Sequence, residues 1–475
     1  MRPIFRHLTT LALSVITPLS LSIEGAYAKG LFNPKAFTLK NGLEVVVVSD
    51  HRVPAVMQLL MYRVGGADED PTQPSGLAHF FEHMMFRGTK KFDKARFDVE
   101  MNRMGARLNA FTSSDYTGYH LLIGADQLPR AMEIESDRME NLRINEEQVN
   151  AERGAVENER KWRVENNPSA ILDEHVLATH FAAHPYRLPV IGWAHDIAKY
   201  NVKEALKFYN QHYVPNNAIL VLVGDVTVEK AKELANKYYG PLKKGTPKPR
   251  VRKEEPPAVR GMMKVVSYKH PQIQNDQVED IYHAPTYRSE EGKKLTYPLM
   301  VFARHFGGGE TSVLYKKLVA EKKIATNAYM FYSGFMRDPY GLVINLQTRT
   351  GIPLSKTEEA MREELEKVLK NGVTEKDVEL AKERILSQVE YYYENFDGIA
   401  YFIGTNLAAG HTIDDLESYV DRVKAVTVKD VNEAIRKIFA EKGQATLQPP
   451  ATKSYLLRAD HSLQIAPVKT TKDSK

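Results

Sequence analysis

The sequence predicts an α+β protein made of two homologous halves, each a mainly antiparallel sheet packed with helices. Three observations predict it. Short apolar strand patterns alternate with longer helical patterns along the chain. The order also recurs. Tyr119–Ile123, a helix and Asn145-Glu146-Glu147-Gln148 return as Gly341–Leu346, a helix and Thr374-Glu375-Lys376-Asp377, with Thr374 lying 229 residues after Asn145. Finally, 475 residues are too many for one ordinary hydrophobic core.

The first 28 residues read as a signal peptide. Arg2 and Arg6 precede a mostly apolar run, Leu8 to Ile23, broken by Pro18, and Ala26-Tyr27-Ala28 has the small-x-small form of a cleavage site. The mature chain is therefore expected in the periplasm or outside the cell, with an uncleaved anchor as the alternative. No other long apolar run follows, so no stable membrane span is expected in the mature chain. The chain has no cysteine, which excludes disulfides and leaves His, Asp and Glu to hold any metal. Its net charge of +5 carries no dense Lys/Arg patch interleaved with aromatics, so nucleic acid is not an expected partner.

In order, the elements justify themselves as follows. Phe37–Lys40 and Leu43–Val48 flank Asn41-Gly42, a hairpin signal. Ala55–Val64 is a strand stopped by Gly65-Gly66, and a helix starts at Ser75 or Gly76. Lys94–Met104 is a helix, and Leu108–Ser113 and Tyr116–Ile123 pair around Ser114-Asp115. Helices follow at Asp126–Asn141 and Asn145–Glu165, the second with a capping-box-like start. Ala218–Val223 is a strand, and a helix runs to Tyr239. Pro241–Pro257, rich in Pro, Lys and Arg, reads as the linker. Strands at Met263–Tyr268, Asp276–Tyr282, Asn327–Tyr332 and Tyr340–Thr348 restart the pattern, with helices to Phe439. The boundaries drawn are 31–247 for the first half, 248–257 for the linker, 258–450 for the second half and 451–475 for a polar tail.

Chemistry concentrates in His79-Phe80-Phe81-Glu82-His83. On a helix the two imidazoles lie on one face about a turn apart, able to hold a metal, with Glu82 close by as a base. The H-x-x-E-H order is the inverted form of the commoner zinc-peptidase helix. Solvated surface histidines would be the ordinary alternative, but Leu77, Ala78, Phe80, Phe81, Met84, Met85 and Phe86 make the helix largely buried, where polar groups need partners. A hydrolytic zinc site usually needs a third ligand. In the acidic helix Asn145–Glu165, Glu152 and Glu159 are seven residues apart and share a face beside Ala155 and Val156, whereas Glu157 points away. One of the pair could bind zinc and the other could orient a ligand histidine. An exposed charged face paired with Arg153, Arg160 and Lys161 is the competing reading.

The chain resembles the pitrilysin/insulinase/mitochondrial processing peptidase family of inverted zincins. The resemblance rests on Gly76 to Thr89, Asn109-Ala110-Phe111-Thr112-Ser113, Glu152-Arg153, Glu159-Arg160, His184-Pro185-Tyr186 with Ile191-Gly192, and Pro215-Asn216-Asn217-Ala218. It implies a zinc endopeptidase holding one Zn2+ per chain through His79, His83 and Glu159, with Glu82 as catalytic base and Glu152 supporting a ligand histidine. Asn109, Ala110 and Phe111 correspond to the family's edge strand, to which a peptide substrate adds by main-chain pairing. The family's substrate-binding Arg and Tyr fall here on Val319 and Thr326, with Tyr329 the nearest substitute. In the second half, Glu152 and Glu159 map to Ala381 and Gln388. Half-sized members often split the work between homologous subunits, so the resemblance implies the zinc subunit of a heterodimer, a homodimer being the other arrangement. A non-catalytic scaffold or assembly subunit of the same fold is the alternative function.

Overall fold

A computed structural model describes residues 30–259, 261–441 and 446–461. The proposed signal peptide lies outside these residues. The first half runs β1 (Lys35–Thr38), β2 (Glu44–Ser49), β3 (Ala55–Tyr62), α1 (Leu77–Met84), α2 (Lys94–Arg103), β4 (Arg107–Thr112), β5 (Thr117–Gly124), α3 (Leu128–Asn141), α4 (Glu146–Arg160), α5 (Pro168–His180), α6 (Ala194–Ile197), α7 (Val202–His212), β6 (Ala218–Gly224) and α8 (Val228–Tyr238). The second runs β7 (Lys264–His270), β8 (Gln277–Tyr282), α9 (Glu290–Gly307), β9 (Ala325–Tyr332), β10 (Leu342–Thr348), α10 (Leu354–Asn371), α11 (Glu375–Glu394), α12 (Phe396–Ala409), α13 (Ile413–Glu417), α14 (Tyr419–Ala425), α15 (Val428–Phe439) and β11 (Thr452–Arg458).

Each half builds one sheet, ordered β1-β2-β6-β3-β5-β4 and β7-β11-β8-β10-β9. Apart from the extra β1, the orders coincide when β2, β6, β3, β5 and β4 are read as β7, β11, β8, β10 and β9. The repeat therefore extends to topology. Each sheet is mixed, with one parallel pair, β2 with β6 and β7 with β11, among antiparallel neighbours.

That equivalence corrects the expected tail. Residues 452–458 form β11 between β7 and β8, the counterpart of β6. Its composition hid it. Whereas β6 is uniformly apolar and buried, β11 buries Thr452 and Ser454 and places the Lys453 ammonium 2.9 Å from Asp280 and 2.8 Å from Glu358. A buried ammonium is tolerated because two carboxylates meet it.

The halves also exchange helices. The face of the first sheet carrying Leu59, Met61, Val221 and Val223 is covered by α12 from the second half, through Phe396, Ile399, Ile403 and Leu407. A Cβ on Gly404 would lie 2.7 Å from Leu59, so glycine permits this close approach. Reciprocally, Leu172 and Val176 of α5 pack on Ile281, Val343 and Leu456 of the second sheet. Covered on both faces, β6 has no polar face to show. The linker reading needs a matching correction. No helix or strand forms in the described residues between Tyr238 and Lys264, yet the segment is strapped down. The Arg252 guanidinium is buried against Asp68 at 2.9 Å, Asp115 at 2.6 Å and Asp338 at 2.8 Å, tying loops of both halves together.

Candidate metal centre

α1 is fixed at its start by backbone contact. Gly76 precedes it at φ 89°, and a Cβ there would meet the Ile191 carbonyl and the Gly192 Cα at 2.6 Å. Only glycine tolerates both demands. The first-turn amides of Gly76 and Ala78 each donate to the Glu69 carboxylate at 2.8 Å. A buried carboxylate is well placed there, against the positive end of the helix. The helix body is clamped by aromatic packing: Phe80 lies 4.7 Å from Tyr200 and Phe81 stacks 5.2 Å from Phe208, ring centre to ring centre. His79 is carried into this environment and is only 5% exposed.

α4 crosses α1 and begins on Asn145, whose side chain accepts from the Gln148 amide at 3.0 Å. The cap works through Asn145 alone, without the reciprocal arm of a capping box. Its buried stripe is the one the helical phase selects. Glu159 Oε2 lies 3.0 Å from His83 Nε2 and 3.5 Å from His79 Nε2. Glu152 Oε2 lies 3.2 Å from His83 Nδ1, and its other oxygen is paired with Arg87. The outer Glu159 oxygen is ion-paired with Arg163 Nε at 2.9 Å, from the π-helical turn Lys161–Glu165 that ends α4. The arginines expected on this face go elsewhere, Arg160 to Glu174 at 2.7 Å and Arg153 to the Tyr200 carbonyl at 3.3 Å.

This cluster fits a metal. His79, His83 and Glu159 offer three ligand atoms all within 4.8 Å of one another. Tetrahedral zinc with ligands at its usual bond lengths places them roughly 3.3 Å apart. Glu159 Oε2 is buried with no hydrogen bond. With Nδ1 of His83 donating to Glu152, the His83 Nε2 lone pair faces that oxygen, and two acceptors at 3.0 Å need a cation between them. A proton on His83 or a divalent ion would serve. The electrostatics agree. Burial opposes a charged His83, but the Glu152 and Glu159 carboxylates beside it outweigh that and raise its pKa to about 9. Burial and the neighbouring His83 lower His79 to about 4. The His83 contact holds Glu159 below the usual carboxylate range, against burial.

Glu82 points to the side of this cluster, toward β4. Its Oε2 accepts from Thr112 Oγ1 at 2.6 Å, while burial raises its pKa. β4 is the sheet's outer strand, paired only with β5. The Ala110 amide donates at 2.9 Å to its neighbour Asn109 Oδ1, so it faces the open edge and not the β5 ladder. Phe111 turns its ring the other way, 5.0 Å from Tyr401 of α12. Thr112, Arg87 and Arg163 thus join the site. The first two stood inside the motif stretches with nothing in their spacing to single them out, and Arg163 depends on the π-turn. No contact in the described residues joins Val319, Thr326 or Tyr329 to the cluster. Val319 lies in the π-helical turn Tyr315–Glu321, Thr326 bonds Gln347 at 2.8 Å, and Tyr329 stands on β9 opposite Asn345.

Two repeat-related sheet units, the first with a His/His/Glu cluster beside an open edge strand, make up a two-part α+β fold with one candidate metal centre among the described residues. Residues 44–193 match the family model described as Insulinase (Peptidase family M16), and residues 199–385 match the model described as Peptidase M16 inactive domain. The chain belongs to this M16 family. It is 28% identical over 423 residues to the zinc protease PqqE of Helicobacter pylori, spanning 87% of this chain and 92% of that one. It is 31% identical over 202 residues to the mitochondrial-processing peptidase subunit beta of Bos taurus, spanning 42% and 41%. A solved protease from Helicobacter pylori superposes with a TM-score of 0.80 at 25% identity, covering 89% of this chain and 99% of that one. The periplasmic protease PqqL from Escherichia coli shares the fold at a TM-score of 0.73 and 18% identity, 90% of this chain matching 48% of that one.

Proposed function

We propose that this chain is a zinc-dependent endopeptidase acting on peptides or unfolded segments. One observation carries the proposal: the buried Glu159 oxygen that faces both imidazoles without a hydrogen bond. His79, His83 and Glu159 would hold the zinc, one per chain. Glu152 orients His83 through Nδ1 and leaves Nε2 free as a donor. Bound zinc supplies Lewis acidity toward the scissile carbonyl and the attacking water. Glu82 takes a proton from that water as its oxygen bonds to the carbonyl carbon, then delivers the proton to the amine nitrogen as the C–N bond breaks. Burial, which raises the Glu82 pKa, suits it to both steps. The substrate main chain would pair with the open edge at Ala110, displacing the Asn109 side chain, so recognition would depend little on sequence.

The site is proposed to work within a pair of homologous subunits, the partner supplying the Arg and Tyr that Val319 and Thr326 do not. A homodimer is the other arrangement. Export to the periplasm, with cleavage after Ala28, completes the proposal, and N-terminal sequencing of the mature protein checks it. The relative named periplasmic protease is consistent with that address. Val319 and Thr326 favour a second reading, a non-catalytic scaffold subunit. Metal analysis with a quenched-peptide assay separates the two. One zinc per chain and chelator-sensitive cleavage support the enzyme. A purified protein without stoichiometric zinc, inert toward unfolded peptides with or without its partner, supports the scaffold.

A further inference from the structure

The second half has a helix pair in the place of the one that carries the metal centre, without its donors. α9 takes the place of α1 between the second and third strands of its repeat, and it packs on α11 as α1 packs on α4. Met300, Ala303 and Arg304 carry on α9 the spacing that His79, Glu82 and His83 carry on α1. Gln388 of α11 replaces Glu159. These four side chains are not buried in a closed core. They line one cavity of about 190 Å³.

The chemistry of this cavity is cationic at one end and apolar at the other. Arg304 Nε is buried with no hydrogen-bond partner. Burial and the neighbouring Arg384 both hold the Arg304 guanidinium below its usual pKa, so two like charges stand together. Burial lowers the His305 pKa, with Arg384 and Lys316 adding to it, and the Asp377 carboxylate 3.9 Å away already accepts from Thr374 at the start of α11. Among the described residues, no carboxylate pairs with Arg304, Lys316 or Arg384. An unpaired guanidinium lining a half-buried cavity costs free energy unless an anion joins it. The arginine is held in place by the backbone: a Cβ on Gly308 would lie 2.7 Å from Arg304 Cδ, and one on Gly307 would lie 2.2 Å from the Met330 amide. Met300, Met330, Ile385 and Tyr419 supply the apolar walls.

We infer that this cavity binds a carboxylate carried on an apolar residue, the chemistry of a peptide C-terminus. Arg304 would take the carboxylate oxygens, the Gln388 amide would lie beside it, and the last side chain would rest on the methionines. Inorganic phosphate shares the oxyanion chemistry but has nothing to place on those walls. The inference stands independently of the catalytic reading, since a metal-free or inactive chain would keep the cavity.

Calorimetric titration of the Glu82→Gln holoprotein tests it with three probes: N-acetyl-Leu-Phe acid, the same dipeptide as its amide, and inorganic phosphate. The acid is expected to bind at least about tenfold more tightly than the amide. The difference should vanish in Arg304→Met. A hydroxamate that occupies the metal centre should leave binding unchanged. Equal binding of acid and amide, or full acid affinity in an Arg304→Met variant that melts like its parent, overturns the inference. Displacement of the acid by the hydroxamate would assign binding to the metal centre instead. Phosphate binding tighter than the acid would exclude a peptide end as the ligand.

Discussion

Glu82→Gln is the sharpest test of the proposed active site. The substitution keeps the side-chain length, and a glutamine Oε1 still accepts the bond that Thr112 Oγ1 donates at 2.6 Å. It touches none of the three converging donors, since His79, His83 and Glu159 approach one another without Glu82. What disappears is the capacity to take a proton. General-base contributions of 10² to 10⁴ correspond to about 2.7–5.5 kcal/mol of barrier. Replacing a buried carboxylate by a neutral amide should change folding stability by less than about 1 kcal/mol, because the desolvation that raises the Glu82 pKa is relieved as one favourable contact weakens. The assay pairs zinc determination by mass spectrometry with hydrolysis of a quenched fluorogenic peptide. The expected result is one zinc per chain, an unchanged denaturation midpoint and kcat reduced at least about a hundredfold. Cleavage within tenfold of the parent would remove Glu82 from the mechanism, and loss of zinc would mean that the carboxylate belongs to the metal site.

Three further outcomes are expected. Glu152→Gln weakens the acceptor for His83 Nδ1 and should lower zinc affinity about 10- to 100-fold in a chelator competition titration, and unchanged affinity would make the 3.2 Å contact incidental. His180 and His212 are buried, and burial lowers each pKa from 6.5 to about 4. The unfolded chain therefore binds protons that the native one refuses. Stability is complete above pH 6.5 and is lost as pH falls through about 4, by up to about 3 kcal/mol per histidine, and urea midpoints that stay flat between pH 7 and 4.5 would contradict this. The exchanged helices predict that residues 30–247 alone will aggregate and that co-expression with residues 258–461 will restore a soluble pair. A monomeric first half that melts cooperatively would refute the need for the α12 cover over Leu59, Met61 and Val221.

Much of this was legible in the sequence because it is periodic. The H-x-x-E-H spacing on an apolar helix, and the shared face of Glu152 and Glu159, depend on residues only a few positions apart. Helical geometry alone brings such residues together. The expected strands fall close to where they form, because turn residues punctuate them. β11 escaped for the opposite reason: its core-facing positions include Thr452 and Ser454, and the buried Lys453 reads as surface until Asp280 and Glu358 are beside it. The repeat itself requires a counterpart of β6, so topology carried a signal that composition lacked.

The sequence by itself determined the two-part α+β plan, the helix bearing His79 and His83, and the stripe on a distant helix from which the third donor comes. These are properties of local periodicity, which any window of chain carries within itself. Only the tertiary structure decided which atoms meet. It set the single Glu159 oxygen against two imidazoles, gave Glu82 its Thr112 partner, sent α5 and α12 across to each other's sheets, and turned a linker into a strap through Arg252. Those contacts join residues tens to hundreds of positions apart. Their distances are fixed by how both faces of each sheet are covered and how buried charges find partners, and neither condition is written in any one stretch of sequence.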